Sequence, residues 1–170
     1  AATKRNVSRS KVSKGKPLEK IGQRALNQGE IFFDNVEVPA QFMLAQGPEA
    51  YPFVWEMNLK GANIAMGQQF VGVARAAYDL ALDYARQWVQ GGVPIIQHQN
   101  VKSRLFGMFQ KLEAARALVR RVAIADATLP GGVPFQHAAA TKVLATQTAF
   151  EIAHDAIQTL GGNGLTHEYL

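Results

Sequence analysis

Val101, Leu105, Met108, Leu112, Ala115, Val119 and Val122 follow one another in steps of 4, 3, 4, 3, 4 and 3. Steps of that size return to the same side of an α-helix, so the stretch lays down one narrow apolar seam and not the alternation of a strand. A seam this long has to be covered, and it predicts a helix over about His98 to Thr128 packed in a bundle. The stretches on either side repeat the pattern. Phe70, Ala74, Ala77, Ala81, Tyr84 and Ala85 share a face within an expected helix from about Val54 to Val89. Ala139, Val143, Thr146, Phe150, Ala153, Ile157 and Leu160 line another, from about Pro134 to Leu160. Gly91-Gly92-Val93-Pro94 and Leu129-Pro130-Gly131-Gly132 separate these helices, and connections so short favour antiparallel neighbours. Three such seams want a fourth helix, so the bundle is expected to be closed by residues outside this stretch or by another subunit.

The N-terminal part has a different texture. GEIFFDNVEVP reads as strand (Ile31–Phe33), turn (Asp34-Asn35) and strand (Val36–Val38), stopped by Pro39. QGPEAYP then reads as a linker. The expected organisation is a β fragment over 1–40, a linker over 41–52 and a helical bundle domain over 53–170. The chain has 170 residues, 48% of them hydrophobic, enough for one real core. No apolar run approaches the ~20 residues of a membrane span, and AATKRNVSRS lacks the apolar centre of a signal peptide. Secretion therefore has no support. A chain that starts without Met and ends without a polar tail is expected to be an excerpt of a longer protein.

Charge is unevenly placed. Eight basic residues up to Arg24 face Glu19 alone, whereas the remainder is slightly acidic. That basic segment holds no aromatic residue to stack a base and no helix pattern to enter a groove, which argues against nucleic acid as a partner. Cysteine is absent, removing disulfides, thiolate metal sites and thiol catalysis. His98, His137, His154 and His167 are never three or four apart, and the one Glu-x-x-His, Glu151 to His154, has no second copy to build a di-metal site. Ser103 lacks a nucleophile elbow, and a lone Glu168 near the end of the chain is most simply solvated. The string Gln158-Thr-Leu-Gly-Gly-Asn-Gly164 carries more glycine than a helix cap needs. It is either a flexible break or a loop whose backbone something approaches closely.

Taken in order, several stretches resemble the acyl-CoA dehydrogenase family. KPLEKIGQRALNQGEIFFDNVEVP is similar to the last strands of its β domain, and MNLKGANIAMGQQFVGVARAAYDLALDYARQ to the first helix of its C-terminal bundle. GGVPIIQHQNVKSRLFGMFQKLEAARALVRR resembles the next loop and helix, and QTLGGNGLTHEY the family's Gln-x-x-Gly-Gly-x-Gly segment. The resemblance covers nearly all of residues 14–170. It implies a mainly α, antiparallel four-helix-bundle domain, truncated before its last helices and preceded by a short β segment. It also implies FAD as cofactor, an acyl-CoA substrate, and an electron-transfer flavoprotein or other acceptor. A homo-oligomer follows too, a dimer of dimers in the bacterial cytoplasm or the mitochondrial matrix.

Carried over position by position, the resemblance puts Gln158, Gly161 and Gly162 on the FAD of a neighbouring subunit. It puts His98 and Gln99 on the flavin at a helix start, where ordinary capping is the alternative for each. Two departures follow. An arginine that pairs with the flavin diphosphate in the family is replaced in the run Trp88-Val89-Gln90 by an indole, which carries no charge; Arg86 lies two residues before it. The acyl-CoA contact Asp-x-x-Arg aligns with Asn58-Leu59-Lys60-Gly61, which has lost both charges of that pair. No catalytic base is assigned within the chain; in most of the family it is a Glu beyond the position of Leu170. These substitutions leave a second reading open, a non-catalytic helical oligomerisation module derived from the same family.

Overall fold

The computed structural model describes residues 11–169, so the first ten residues of the basic segment, and Leu170, lie outside the described residues. The chain divides into two compact units, Ala1–Gly47 and Pro48–Leu170. In the first, β1 (Lys11–Lys14) pairs antiparallel with β2 (Ile31–Asp34), with Val12 opposite Phe33 and Ser13 opposite Phe32. Bonds from Gly15 N–H to the Glu30 carbonyl (2.9 Å) and from Leu18 N–H to that of Gln28 (2.8 Å) extend the ladder. β2 therefore pairs backwards in sequence, and Val36–Val38, expected as its partner, forms no strand. A two-residue hairpin at Asp34-Asn35 would need positive φ at its first position, but Asp34 stays in the strand and only Asn35 has positive φ (48°).

The second unit consists of α1 (Ala50–Gln87), α2 (Gln99–Thr128) and α3 (Phe135–Leu160). α1 starts inside the expected linker, with Pro52 in the first turn, where a missing N–H costs nothing. It ends where Trp88 turns extended (ψ 121°), its N–H still bonded to the Tyr84 carbonyl at 2.8 Å. A tight hairpin follows, β3 (Val89–Gln90) against β4 (Val93–Pro94), closed by Gly91 and Gly92 with φ of 66° and 84°. Positive φ at both central residues is the geometry that a two-residue hairpin demands and that glycine supplies.

Ala74, Ala81 and Ala85 of α1 meet Leu105, Met108 and Leu112 of α2 and Ala149, Ile152, Ala156 and Leu160 of α3 in one core. Ile64, Val122, Val133 and Ala138 form a second cluster. The α2 seam is buried as expected from Leu105 to Val122, each of its large residues contributing roughly 1.5–3 kcal/mol of burial, and Val101 is half-buried. α3 differs. Its buried face is Ala138, Thr141, Ala145, Thr148, Ala149, Ile152, Ala156, Thr159 and Leu160, whereas Val143, Phe150 and Ile157 of the expected stripe are 48%, 78% and 43% exposed. Small residues let α3 sit close against its neighbours. A Cβ added at Gly67 of α1 would lie 3.2 Å from that of Thr141, so the helices nearly touch backbone to backbone.

Candidate cofactor site

Antiparallel order brings the end of α1, the start of α2 and the end of α3 to one end of the bundle. Between them lies a cleft of about 660 Å³. Tyr84 and Trp88 come from α1 and its cap, Gln90 and Gly91 from the hairpin, and His98, Asn100, Val101 and Arg104 from the start of α2. Gln158 to Asn163 complete the wall from α3 and the 3₁₀ turn after it.

The walls are held by specific contacts. Trp88, 47% exposed, lies nearly parallel to Tyr84, their rings 5.4 Å apart and 14° from coplanar. The Asn163 amide donates to the Tyr84 hydroxyl at 2.9 Å, tying α1 to the glycine loop. His98 Nε2 donates to the Gln90 carbonyl at 3.0 Å, which fixes that nitrogen as the protonated one and latches the hairpin to α2. Gly161 adopts φ 59° and ψ −133°, a conformation closed to other residues without strain. A Cβ at Gly161 or at Gly162 would meet nothing within 4 Å, so both backbones face open space. Gly164 is a glycine for the opposite reason: a Cβ there would stand 2.8 Å from the Ile157 carbonyl oxygen.

Of the residues singled out in the sequence, the cleft gathers Trp88, Gln90, His98, Gln158, Gly161 and Gly162. Val89 and Gln99 are not on its wall. Successive residues of an extended strand point to opposite sides, so Val89 turns away where Trp88 and Gln90 turn in. Tyr84, Asn100, Arg104 and Asn163 line the cleft and were not singled out. For Asn100 and Arg104 a signal existed: they are four apart on one helix face, just after His98. Arg86, the cation nearest Trp88 in sequence, instead pairs with Asp83 at 3.4 Å and stands outside the cleft.

At the opposite end, a second cleft of about 550 Å³ is lined by Phe53, Glu56, Met57 and Lys60 of α1 and by residues 131–135. Lys60 is the sole member of the Asn58–Gly61 quartet on its wall, since four consecutive helical residues point around the axis and cannot share one face. Asn58 turns its amide to the Val54 carbonyl (2.9 Å). Lys60 Nζ is 3.0 Å from Asp126 Oδ1, and that same oxygen accepts the Val133 N–H at 2.9 Å. The Val133 N–H and then the Lys60 ammonium hold the Asp126 carboxyl below its ordinary value. A Cβ at Gly132, whose φ is 72°, would stand 2.7 Å from Lys60 Nζ and overlap Asp126 Oδ1, so this bracket requires glycine. Among the described residues no three His, Asp or Glu side chains form a metal-binding group, and no helix is long and apolar enough to cross a membrane.

The chain's relatives are consistent with this architecture. Residues 54–170 match the family model described as acyl-CoA dehydrogenase, C-terminal domain. An acyl-CoA dehydrogenase of Bacillus subtilis is 36% identical over 91% of this chain and 40% of its own length. A short-chain-specific acyl-CoA dehydrogenase of Megasphaera elsdenii is 34% identical over the same shares. The solved structure of butyryl-CoA dehydrogenase from Megasphaera elsdenii superposes with a TM-score of 0.88 at 32% identity, covering 94% of this chain and 41% of that one. The chain thus spans about 40% of the length of these curated relatives. Family model, relatives and fold agree, and this mainly helical chain belongs to the acyl-CoA dehydrogenase family, matching its C-terminal domain.

Proposed function

We propose that this chain holds part of the FAD of a flavin-dependent acyl-CoA dehydrogenase, which removes hydrogens from Cα and Cβ of an acyl-CoA thioester. The observation that carries the reading is the first cleft. It joins Arg104, the amide of Gln158, the start of α2 and the open backbones of Gly161 and Gly162, with no carboxylate among its lining residues. Such a donor set suits a diphosphate: helix-start and glycine N–H groups and a guanidinium all complement negative oxygens. Bound FAD supplies the redox chemistry by accepting the β-hydride.

The chain's own residues bind and orient. Trp88, backed by Tyr84, gives the cleft a flat apolar wall for a ring, and the His98 latch keeps the hairpin in place. Proton abstraction from Cα is assigned to no residue here. Glu56, the carboxylate lining the other cleft, is separated from Trp88 by most of α1, roughly 48 Å at 1.5 Å per residue, too far to serve a group in the first cleft. Of Asn58, Leu59, Lys60 and Gly61, which we take to contact the acyl-CoA, Lys60 alone lines a cleft. We place the protein in a homo-oligomer, a dimer of dimers sharing the flavin between subunits. It passes electrons to an electron-transfer flavoprotein or another acceptor, in the bacterial cytoplasm or the mitochondrial matrix.

The natural protein carrying this chain should purify with bound flavin and reduce an artificial acceptor only when acyl-CoA is added. The isolated 170-residue chain, given FAD, should show no turnover above a control without protein. A natural protein that binds no flavin and oxidises no acyl-CoA would refute the proposal.

A further inference from the structure

Arg104 is the arginine on the wall of the first cleft. Resting on the flavin reading above, we infer that Arg104 pairs with the FAD diphosphate from the start of α2, in place of the cation expected at the position of Trp88. Arg104 is half-buried on the cleft wall, on the same helix face as Asn100 and Val101. Among the described residues no carboxylate lines the cleft, and Arg104 takes part in no ion pair or hydrogen bond. Arg75, Arg86 and Arg116 each close on an acid three or four residues away along their own helix, and Arg24, Arg120 and Arg121, unpaired like Arg104, stand exposed to water, so among the described residues Arg104 is the half-buried guanidinium without an acid. A guanidinium withdrawn partly from water without an anion forgoes hydration for nothing, so a cleft that keeps one is built for an anionic ligand. The indole also explains why the charge has moved. Trp88 stacks flat on Tyr84 and occupies the part of the wall built by α1, so a cation reaches the cleft from another element. Arg104 supplies it, five donors in a planar fork that matches phosphate oxygens.

FAD titrations of the natural protein in its apo form, followed by flavin fluorescence at two salt concentrations, test the inference. Arg104→Gln should weaken FAD binding about tenfold to a hundredfold, the loss of one charge-assisted contact, and flatten the salt dependence. Arg104→Lys should retain part of the affinity because it keeps the charge. Adding Trp88→Arg to Arg104→Gln should recover affinity, since it returns a guanidinium to the cleft wall. Thermal midpoints of the apo forms should be alike. Arg104→Gln binding FAD within twofold of the wild type, with unchanged salt dependence, overturns the inference and leaves the flavin reading standing. A loss matched by a fall in midpoint and not recovered by Trp88→Arg also overturns it, by showing that Arg104 only supports the fold. A wild-type protein that binds no FAD removes the flavin reading and this inference together.

Discussion

Asp126 shows how much one side chain can hold when its two neighbours are a backbone N–H and an ammonium. It sits near the end of α2, and the loop that leads to α3 folds back so that Val133 N–H and Lys60 Nζ both reach Oδ1. The loop conformation, two glycines with positive φ, exists to make that approach possible. Because both partners favour the charged form, the folded-state pKa lies below the ordinary 3.8. A depressed carboxylate pKa contributes stability that is present above the unfolded value and is lost as pH falls through the folded one. The expected outcome is that wild type loses this stability as pH falls through and below the ordinary carboxylate range, whereas Asp126→Ala lacks it throughout and is less stable at pH 7 by about 1–2 kcal/mol. Denaturant unfolding at several pH values checks it. A difference between the two proteins that does not shrink on acidification would show that the carboxylate charge is not what holds the loop.

At the scale of the helix, α2 and α3 carry the same kind of 4-and-3 repeat, yet only one of the two was legible in the sequence. In α2 the residues of the 4-and-3 seam from Leu105 to Val122 are the buried ones, while Phe106, Phe109 and Ile124 off that seam stay exposed, so along the seam hydrophobicity and burial coincide. In α3 the large residues Val143, Phe150 and Ile157 face outward and the inner face is built of Ala and Thr with Ile152 and Leu160. Pattern reading weights size, whereas close packing of a helix against two neighbours rewards small side chains. The two stripes predict opposite outcomes. Ala145→Leu, at a fully buried position, should destabilise by about 1–3 kcal/mol through overpacking. Phe150→Gln should change the stability of the bundle by no more than roughly 0.5 kcal/mol. Reversed sensitivities in urea unfolding would mean that α3 presents the other face to the core. The strands tell a similar story: β2 was legible as a strand from IFFD, but its partner was not, because pairing across sixteen intervening residues is decided by the chain reversal and not by the strand itself. Of the candidate cleft, the Gly161-Gly162 wall was legible, because its residue type stands out in the sequence. The cleft was obscure where convergence does the work: Arg104 gains its meaning only once α3 and its glycine turn line the same cleft as the start of α2.

For the molecule as a whole, the balance of apolar surface sets what the chain can do alone. Three helices bury two apolar clusters and leave another apolar side open, formed by Val73 and Leu80 of α1 and Val143, Phe150 and Ile157 of α3. A groove of about 490 Å³ runs along that side between Val73, Ala77, Leu80, Ala153 and Ile157. Isolated exposed apolar residues are ordinary on a soluble protein, but a contiguous patch over two helices is a liability in water. At roughly 25 cal/mol per Å², covering even 400 Å² of such surface is worth about 10 kcal/mol before the cost of association, ample to drive contact between copies. The 170-residue chain on its own should therefore associate as its concentration rises and bind a dye that fluoresces on apolar surface. Introducing charge at the centre of the stripe, with Phe150→Glu and Ile157→Lys together, should reduce both effects while the helical circular dichroism is preserved. Light scattering across a concentration series, with dye fluorescence alongside, makes the measurement. A monodisperse monomer that binds no dye would show that the outer faces of α1 and α3 are as compatible with water as the charged ones, and that the exposure of Val143, Phe150 and Ile157 has no consequence for assembly.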